Sequence, residues 1–316
     1  MTGMDANPQT RAHVLACPVC QRPLVQQERR FVCEANHSFD LAKQGYLNLL
    51  LANHKRSRSP GDNAEMIQAR QRFLDQGHYA AISAQLNQLV AQNVELQRQS
   101  VQVADLGCGD GYYSVRLLQA LSPQANALDF YGIDISKDAL RVAARRQKQT
   151  ATPSGPQNAS AFWLVASGKR LPVIEHSLDA IVSLFTPVMP EGAHQALKTG
   201  GKLIIATTGR NHLLELRQKI YPDVNDKVFD PTGKLAAKGF QPVSDGPIKL
   251  TTSVSIPSED LPDLLIMTPH GWRSTPEARA RLLELPELEV TLDVDFRIYE
   301  ALDAAMDTDA ALESDS

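Results

Sequence analysis

Short apolar runs along the chain alternate with longer stretches in which apolar residues recur every three or four positions. Five such runs predict buried strands, at residues 101–106, 130–135, 162–166, 178–185 and 202–206. The pair Gly200-Gly201 is expected to break the chain just before the last of them. Two later runs, at 248–256 and 288–299, are expected to close the sheet as an antiparallel pair.

The stretches between the runs have helical spacing. Asp62, with Glu65 three residues later, predicts a helix start, and Gly77 predicts its end after Gln76. A second helix follows Tyr79. Further helices are expected from about residue 112 and after a cap at 136, and a loop over 151–160. Alternating strands and helices predict an α/β doubly wound, Rossmann-like sheet.

A glycine-rich turn follows the first strand, as Asp105-Leu-Gly-Cys-Gly-Asp-Gly111. Glycines allow a sharp turn and a close approach of the backbone to a ligand. The next strand ends in Asp134, 27 residues beyond Gly107, where a carboxylate can accept both hydroxyls of a ribose. Together these features predict a pocket for an adenosine cofactor.

The glycine spacing distinguishes between such cofactors. Dinucleotide sites use G-x-G-x-x-G, whereas this chain has G-x-G-x-G at Gly107, Gly109 and Gly111, preceded by Asp105. That pattern resembles motif I of the class I S-adenosylmethionine-dependent methyltransferases. The resemblance implies that the Asp105 end of the turn faces the amino-acid part of the cofactor, and that Asp134 binds its ribose.

Composition limits the class of protein further. The 316 residues are 43% hydrophobic and 22% charged, as expected for a soluble protein with a full core. No apolar run is long enough to span a membrane, and no signal peptide is evident, so a cytoplasmic protein is expected. The formal net charge is −4, but residues 1–58 hold eight Lys/Arg against four acids, whereas 303–316 hold five acids and no base.

Three of the four cysteines lie close together near the N-terminus, as C-x2-C-x12-C-x3-H. This spacing of Cys17, Cys20, Cys33 and His37 predicts a tetrahedral Cys3His zinc site, structural because four protein ligands leave no open position. A disulfide is disfavoured in a reducing compartment, and a site of three thiolates alone is the other alternative. The fourth cysteine, Cys108, is interpreted as a small packing residue.

These features divide the chain into four predicted parts. Residues 1–50 form a zinc-binding module for RNA recognition, and 51–78 a basic linker and helix. Residues 79–302 form the methyltransferase domain, and 303–316 an acidic disordered tail. The basic stretch His54-Lys-Arg-Ser-Arg58 is either a solvated linker or a loop that grips RNA phosphates or closes over the cofactor.

Four segments together resemble one family. They are the zinc knuckle, Lys55-Arg-Ser-Arg-x-Pro-Gly-Asp62, Asp105-x-Gly-Cys-Gly-x-Gly-Tyr-Tyr113 and Gly209-Arg-x-His-Leu-x-Glu-Leu216. The family is the bacterial 23S rRNA (guanine-N1)-methyltransferases, the RlmA/RrmA group, and the resemblance covers about residues 15 to 300. It implies methylation of guanine N1 in a hairpin loop of 23S rRNA domain II, with 23S rRNA as partner and with a homodimer as an open expectation.

The resemblance also implies site residues. The zinc ligands are the three cysteines of the knuckle with His37. The cofactor contacts are Tyr79, the glycine loop through Tyr113 and Ser114, Asp134 and His212. No residue is identified as a general base.

The target pocket is expected after the fourth strand, where Thr186-Pro-Val-Met189 replaces the Asn/Asp-Pro-Pro-Tyr motif of amino-group methylases. Thr186 and Pro187 either line that pocket or are ordinary core residues. Two other functions stay open at this point: methylation of a small metabolite, and RNA binding without catalysis.

Overall fold

A computed structural model describes residues 13–51, 62–150, 158–224 and 227–303. The strands of the described part are β1 (Val25–Gln27), β2 (Arg30–Val32), β3 (Ser38–Asp40), β4 (Tyr46–Asn48), β5 (Val101–Leu106), β6 (Leu128–Asp134), β7 (Ala159–Val165), β8 (Leu178–Leu184), β9 (Leu197–Thr208), β10 (Phe240–Pro242), β11 (Ile248–Pro257) and β12 (Glu287–Ala301). The helices are α1 (Ala64–Asp75), α2 (Ala80–Asn93), α3 (Tyr112–Leu121), α4 (Lys137–Thr150), α5 (Pro190–Ala196), α6 (Leu214–Ile220), α7 (Thr232–Ala236), α8 (Leu261–Met267), α9 (His270–Arg273) and α10 (Pro276–Leu283).

One large mixed sheet organises the chain. Its order is β10-β12-β9-β8-β5-β6-β7-β4, with β11 also paired to β12. Strands β4 to β9 pair in parallel, and β12 pairs antiparallel with β9, β10 and β11. The strand order reverses between β5 and β8, which is the position where α/β sheets bind ligands. The predicted doubly wound class and its closing antiparallel pair are confirmed.

Alternate residues of the central strands face two separate cores. Val103 of β5 and Phe130 of β6 lie in a core with helices α2, α3, α6, α8 and α10. Their neighbours Ala104 and Tyr131 lie in a second core with the N-terminal segment, α5 and α7. Period-2 alternation places these sets on opposite faces of the sheet. We call them the helical face and the zinc-module face.

The N-terminal segment covers the zinc-module face. Strands β1, β2 and β3 form a small antiparallel sheet, and Leu15, Leu24 and Phe31 enter the second core. The connection from β7 to β8, residues 166–177, is described throughout and contains no helix. Val173 of that connection pairs instead with Leu15. The zinc module thus occupies the layer that a crossover helix fills in other doubly wound sheets.

Strand β4 extends the large sheet at one edge. Residues 46–48 pair in parallel with 163–165 of β7. The sequence pattern did not predict this strand, nor the three-residue β10 at the opposite edge, because three residues are too few for a period to emerge.

Two local expectations were wrong. The cap of α1 is Asn63, whose side chain accepts from the amide of Met66 at 2.9 Å, whereas the Asp62 carboxylate pairs with Arg70. Gly200-Gly201 does not precede β9 but lies within it, where the register against β8 shifts; Gly200 has φ +79°. The basic stretch at 54–58, most of the 151–160 loop and nearly all of the acidic tail lie outside the described residues.

Candidate functional site

The glycine loop connects β5 to α3 and requires its glycines. Gly107, Gly109 and Gly111 have φ values of +79°, +56° and +78°, a region that disfavours side chains. A Cβ on Gly107 would lie 2.7 Å from the Thr186 hydroxyl, and one on Gly111 would lie 2.8 Å from the Ala143 methyl. The loop therefore packs closely against the start of the β8–α5 connection and against α4.

Asp134 ends β6 beside this loop. Its Oδ2 accepts from the amide of Gly109 at 2.9 Å, and its Oδ1 accepts from the amide of Ser136 at 2.7 Å. Burial raises the pKa of this carboxyl, and the two amide hydrogen bonds oppose the shift. Each oxygen keeps acceptor capacity for a further donor such as a ribose hydroxyl.

Asp105 lies at the end of β5, where its Oδ2 accepts the Ser114 hydroxyl at 2.5 Å. Burial raises the pKa of Asp105 to about 7, against the lowering effect of Ser114, and the charge of Asp134 adds to the rise. Neither carboxylate has a cation within ion-pairing distance among the described residues, whereas Asp110 of the same loop pairs with Arg146 at 2.6 Å.

Two buried carboxylates that disfavour each other's charge suit a cationic ligand. S-Adenosylmethionine carries a sulfonium and an ammonium group. The Tyr113 hydroxyl, buried next to the loop, has no hydrogen-bond partner in the described part of the chain. Two buried acids without an ion-pair partner and an unpaired buried hydroxyl at the same loop fit a cofactor that brings both positive charge and acceptor oxygens.

Tyr79 and His212 meet on the helical face. The Asp293 amide donates to His212 Nδ1 at 3.3 Å, so the other ring nitrogen, Nε2, carries the proton and faces the Tyr79 hydroxyl at 3.4 Å. Burial lowers the pKa of His212 to about 4, with Asp293 opposing, and the ring stays neutral at pH 7. Burial raises the pKa of Tyr113, and Tyr79 raises it further, so Tyr79 and its partner His212 lie near the glycine loop.

Phe185 is a site residue that the sequence did not reveal. It directly follows β8, has φ +53°, and is 40% exposed. Its ring lies 6.1 Å from that of His212 at an interplanar angle of 30°, and 6.3 Å from that of Tyr113. Of the two predicted pocket residues, Thr186 is half-buried against Gly107 and Pro187 is exposed. A non-glycine residue held at positive φ is strained, and such strain collects at functional sites.

Arg70 of α1 extends over the glycine loop. The sequence did not reveal it as a site residue. Its guanidinium pairs with Asp62 and donates to the carbonyl of Met267 at 3.4 Å. A Cβ on Gly109 would lie 3.8 Å from Arg70 Nη1. The charge of Arg70 lowers the pKa of Asp134, although burial dominates there. Nothing in the pattern of α1 separates Arg70 from its other exposed charges.

The four predicted zinc ligands come together in the N-terminal module. Their ligand atoms all lie within 4.8 Å of one another. Cys20 and Cys33 Sγ are 3.6 Å apart, and His37 Nδ1 is 3.6 Å from Cys17 Sγ and 3.4 Å from Cys33 Sγ. Tetrahedral zinc at usual bond lengths separates sulfurs by about 3.8 Å and sulfur from nitrogen by about 3.6 Å. The cluster fits a zinc ion, and no fifth His, Cys, Asp or Glu joins it among the described residues.

Two family models match parts of the chain. The family model of the RlmA N-terminal zinc ribbon matches residues 15–58, and a methyltransferase domain model matches 103–201. The solved YcgJ protein of Bacillus subtilis aligns with 69% of this chain and 98% of its own, at 16% identity and a TM-score of 0.44.

Two relatives align along most of the chain. The 23S rRNA (guanine(748)-N(1))-methyltransferase of Streptomyces fradiae is 30% identical over 291 residues, 91% of this chain and 97% of that protein. A candidate 23S rRNA (guanine-N(1)-)-methyltransferase of Micromonospora griseorubida is 31% identical over 294 residues, 86% and 92% of the two chains.

Sheet order, glycine loop and domain match define a class I S-adenosylmethionine-dependent methyltransferase with a structural zinc site. The chain belongs to the RlmA-type family of 23S rRNA (guanine-N1)-methyltransferases. Among the described residues, no helix combines the length and apolar character that crossing a bilayer demands.

Proposed function

We propose that the protein methylates N1 of a guanine in a hairpin loop of domain II of 23S rRNA. The observation that carries the proposal is the match of this chain to a zinc ribbon and a methyltransferase domain, together with its alignment over 97% of the Streptomyces fradiae protein that is named for this reaction. A ribosomal substrate places the reaction in the cytoplasm. The homodimer and the four-part domain division remain predictions.

The cofactor supplies an electrophilic methyl group, and the chain positions it. Asp134 accepts the ribose hydroxyls in this proposal, and Asp105 faces the cationic amino-acid part. Ser114 holds Asp105 in place through its hydroxyl, and the Tyr113 hydroxyl is free to donate to the cofactor.

Gly107, Gly109 and Gly111 let the backbone approach the cofactor. Tyr79 and His212 form the wall of the pocket on the helical face.

The target guanine must leave its loop to reach the methyl group, as in other enzymes that act on a base. We assign the Phe185 ring as its stacking surface, because it is the exposed aromatic at the end of β8, beside Tyr113 and the glycine loop. Thr186 and Pro187 follow it along the same wall.

Guanine N1 carries a proton that must leave as the methyl bond forms. His212 is poorly suited to accept it, because Nδ1 is engaged by the Asp293 amide and Nε2 carries the proton. The base therefore stays unassigned. We assign to His212 the role of holding Tyr79 and supporting the Phe185 ring.

Replacing Phe185 with alanine is expected to lower kcat/KM for RNA by roughly 5- to 150-fold, the range for loss of one base–aromatic stack. Alanine retains the strained backbone and removes only the ring. S-Adenosylmethionine affinity, measured by calorimetry, should not change, and Phe185→Tyr should retain most activity. Full activity of Phe185→Ala would contradict the assignment.

The direct test is methyl transfer from radiolabelled S-adenosylmethionine to unmodified 23S rRNA, with the product mapped by primer extension. N1 methylation abolishes Watson–Crick pairing, so the proposed reaction gives a stop at one guanine. Cofactor binding without incorporation into RNA would favour a small metabolite as the substrate. Failure to bind the cofactor at all would favour a non-catalytic RNA-binding protein.

A further inference from the structure

An aromatic and cationic surface lies on the helical face, outside the cofactor pocket. We define it as the Trp272 surface, formed by Arg217 and Tyr221 of α6 and its end, and by His270, Trp272 and Arg273 of α9. Trp272 is 66% exposed, and the Arg273 guanidinium lies 4.7 Å from the centroid of its ring. His270 Nδ1 lies 3.0 Å from the Tyr221 hydroxyl. An exposed tryptophan of this extent is unusual for a surface without a partner.

The charge of this surface is positive. Burial lowers the pKa of His270 to about 4, and the charges of Arg217 and Arg273 add to that shift, so both guanidinium groups lie near the ring. In the part of the chain that the structure describes, no carboxylate lies within ion-pairing distance of Arg273. Interleaved cations and aromatic rings match the phosphates and bases of a single strand.

A chain of contacts links the surface to the proposed target pocket. Arg217 Nη1 donates to the carbonyl of His212 at 3.1 Å, and to that of Arg210 at 2.9 Å. The His212 ring in turn stacks on Phe185. A chain of contacts thus leads from His270 of α9, through Tyr221, Arg217 and the buried His212, to the ring at the end of β8.

We propose that the Trp272 surface binds the single-stranded nucleotides that adjoin the target guanine, with Trp272 stacking on a base and Arg217 and Arg273 contacting phosphates. This inference rests on the proposed function. It places RNA binding on the helical face, whereas the zinc module covers the opposite face of the sheet. Strand-reading proteins combine a cationic groove with aromatic stacking in this way.

The test uses the full-length, zinc-loaded protein and a fluorescein-labelled, unmodified transcript of the domain II hairpin. Trp272→Ala is expected to raise the Kd for this RNA by roughly 5- to 150-fold. The affinity for S-adenosylmethionine should be unchanged, and Trp272→Phe should restore most of the RNA binding. Arg273→Ala should weaken binding and reduce the slope of log Kd against log salt by about one.

Phe229 provides a matched control, because it is 48% exposed and has the Lys234 ammonium 5.8 Å from its ring centroid. Phe229→Ala should leave RNA binding unchanged, which separates the Trp272 surface from any exposed aromatic–cation pair. Equal Kd values for wild type and Trp272→Ala would overturn the proposal. So would conversion of a dimer to a monomer by Trp272→Ala in sedimentation, since the ring would then cover a second copy of the chain.

The two proposals fail separately. If wild type binds the hairpin in a Trp272-dependent manner but methylates nothing in it, the proposed reaction is wrong and the Trp272 surface stands. If wild type methylates a single guanine and Trp272→Ala does so with the same KM, the surface is wrong and the reaction stands.

Discussion

Replacing Cys17 with serine is expected to release zinc and to destabilise the whole described fold, not only the N-terminal module. The reason is that Leu15, Leu24 and Phe31 share a core with the central strands β5 and β6. Zinc supplies about 10–16 kcal/mol to the folding of small zinc domains, which is comparable to the entire stability of a globular domain. Without it, the layer over the zinc-module face loses its order and exposes the sheet beneath.

Thermal unfolding followed by circular dichroism, with metal content measured in parallel, checks this prediction. We expect one transition, lowered by more than about 10 °C from that of the zinc-loaded protein. Val25→Ser, which alters a 57% exposed side chain of the same module, is the control and should retain zinc and melting temperature. Two transitions, with the second at the wild-type temperature, would mean that the sheet does not depend on the module.

Replacing Asp134 with asparagine is expected to weaken S-adenosylmethionine binding by about 100-fold. Hydrogen bonds to a charged group contribute about 1.5–3 kcal/mol each, and the proposed site makes two with the ribose. Asparagine keeps the shape of the side chain but provides one acceptor oxygen in place of two. It also turns an NH2 group toward either the Gly109 or the Ser136 amide, both of which are donors.

Isothermal titration with S-adenosylmethionine measures this loss, and the RNA affinity of the variant shows whether the fold survives. Asp138→Asn is the matched control, since this carboxylate lies four residues further on, is 53% exposed and pairs only with Arg141 among the described residues. An unchanged cofactor affinity in Asp134→Asn would refute the ribose assignment.

The sequence predicted the parts of the fold in which local pattern and tertiary structure agree. Strands β5, β6 and β8 are mostly apolar because both of their faces are buried, and their ends are predicted to within two residues. The glycine loop was predictable because only glycine accepts its backbone angles without strain. The zinc ligands were predictable from their spacing in the sequence alone, and the structure brings them together.

The features that were missed depend on side-chain pairing, a positive φ and a short helix, which a periodic pattern does not encode. Asp and Asn are both favourable N-cap residues. Asn63 is the N-cap of α1 because Arg70 pairs with Asp62. In the sequence, Phe185 looks like a continuation of the apolar strand β8. In the structure, its positive φ turns the ring outward. Trp272 lies on a helix of four residues, which is too short for a periodic pattern, so its exposure could not be foreseen.

The pairing of β4 with β7 has a consequence for the order of folding during synthesis. Residues 46–48 leave the ribosome long before their partners at 163–165, so the zinc module can bind its ion while the sheet is still incomplete. Contacts between segments this distant in sequence close late and slowly. Until the strands of the large sheet have been synthesised, Leu15, Leu24 and Phe31 have no surface to cover, and the nascent chain carries a metal-loaded module with an exposed apolar side. The rate of translation across residues 50–165 therefore sets how long that side remains open to aggregation.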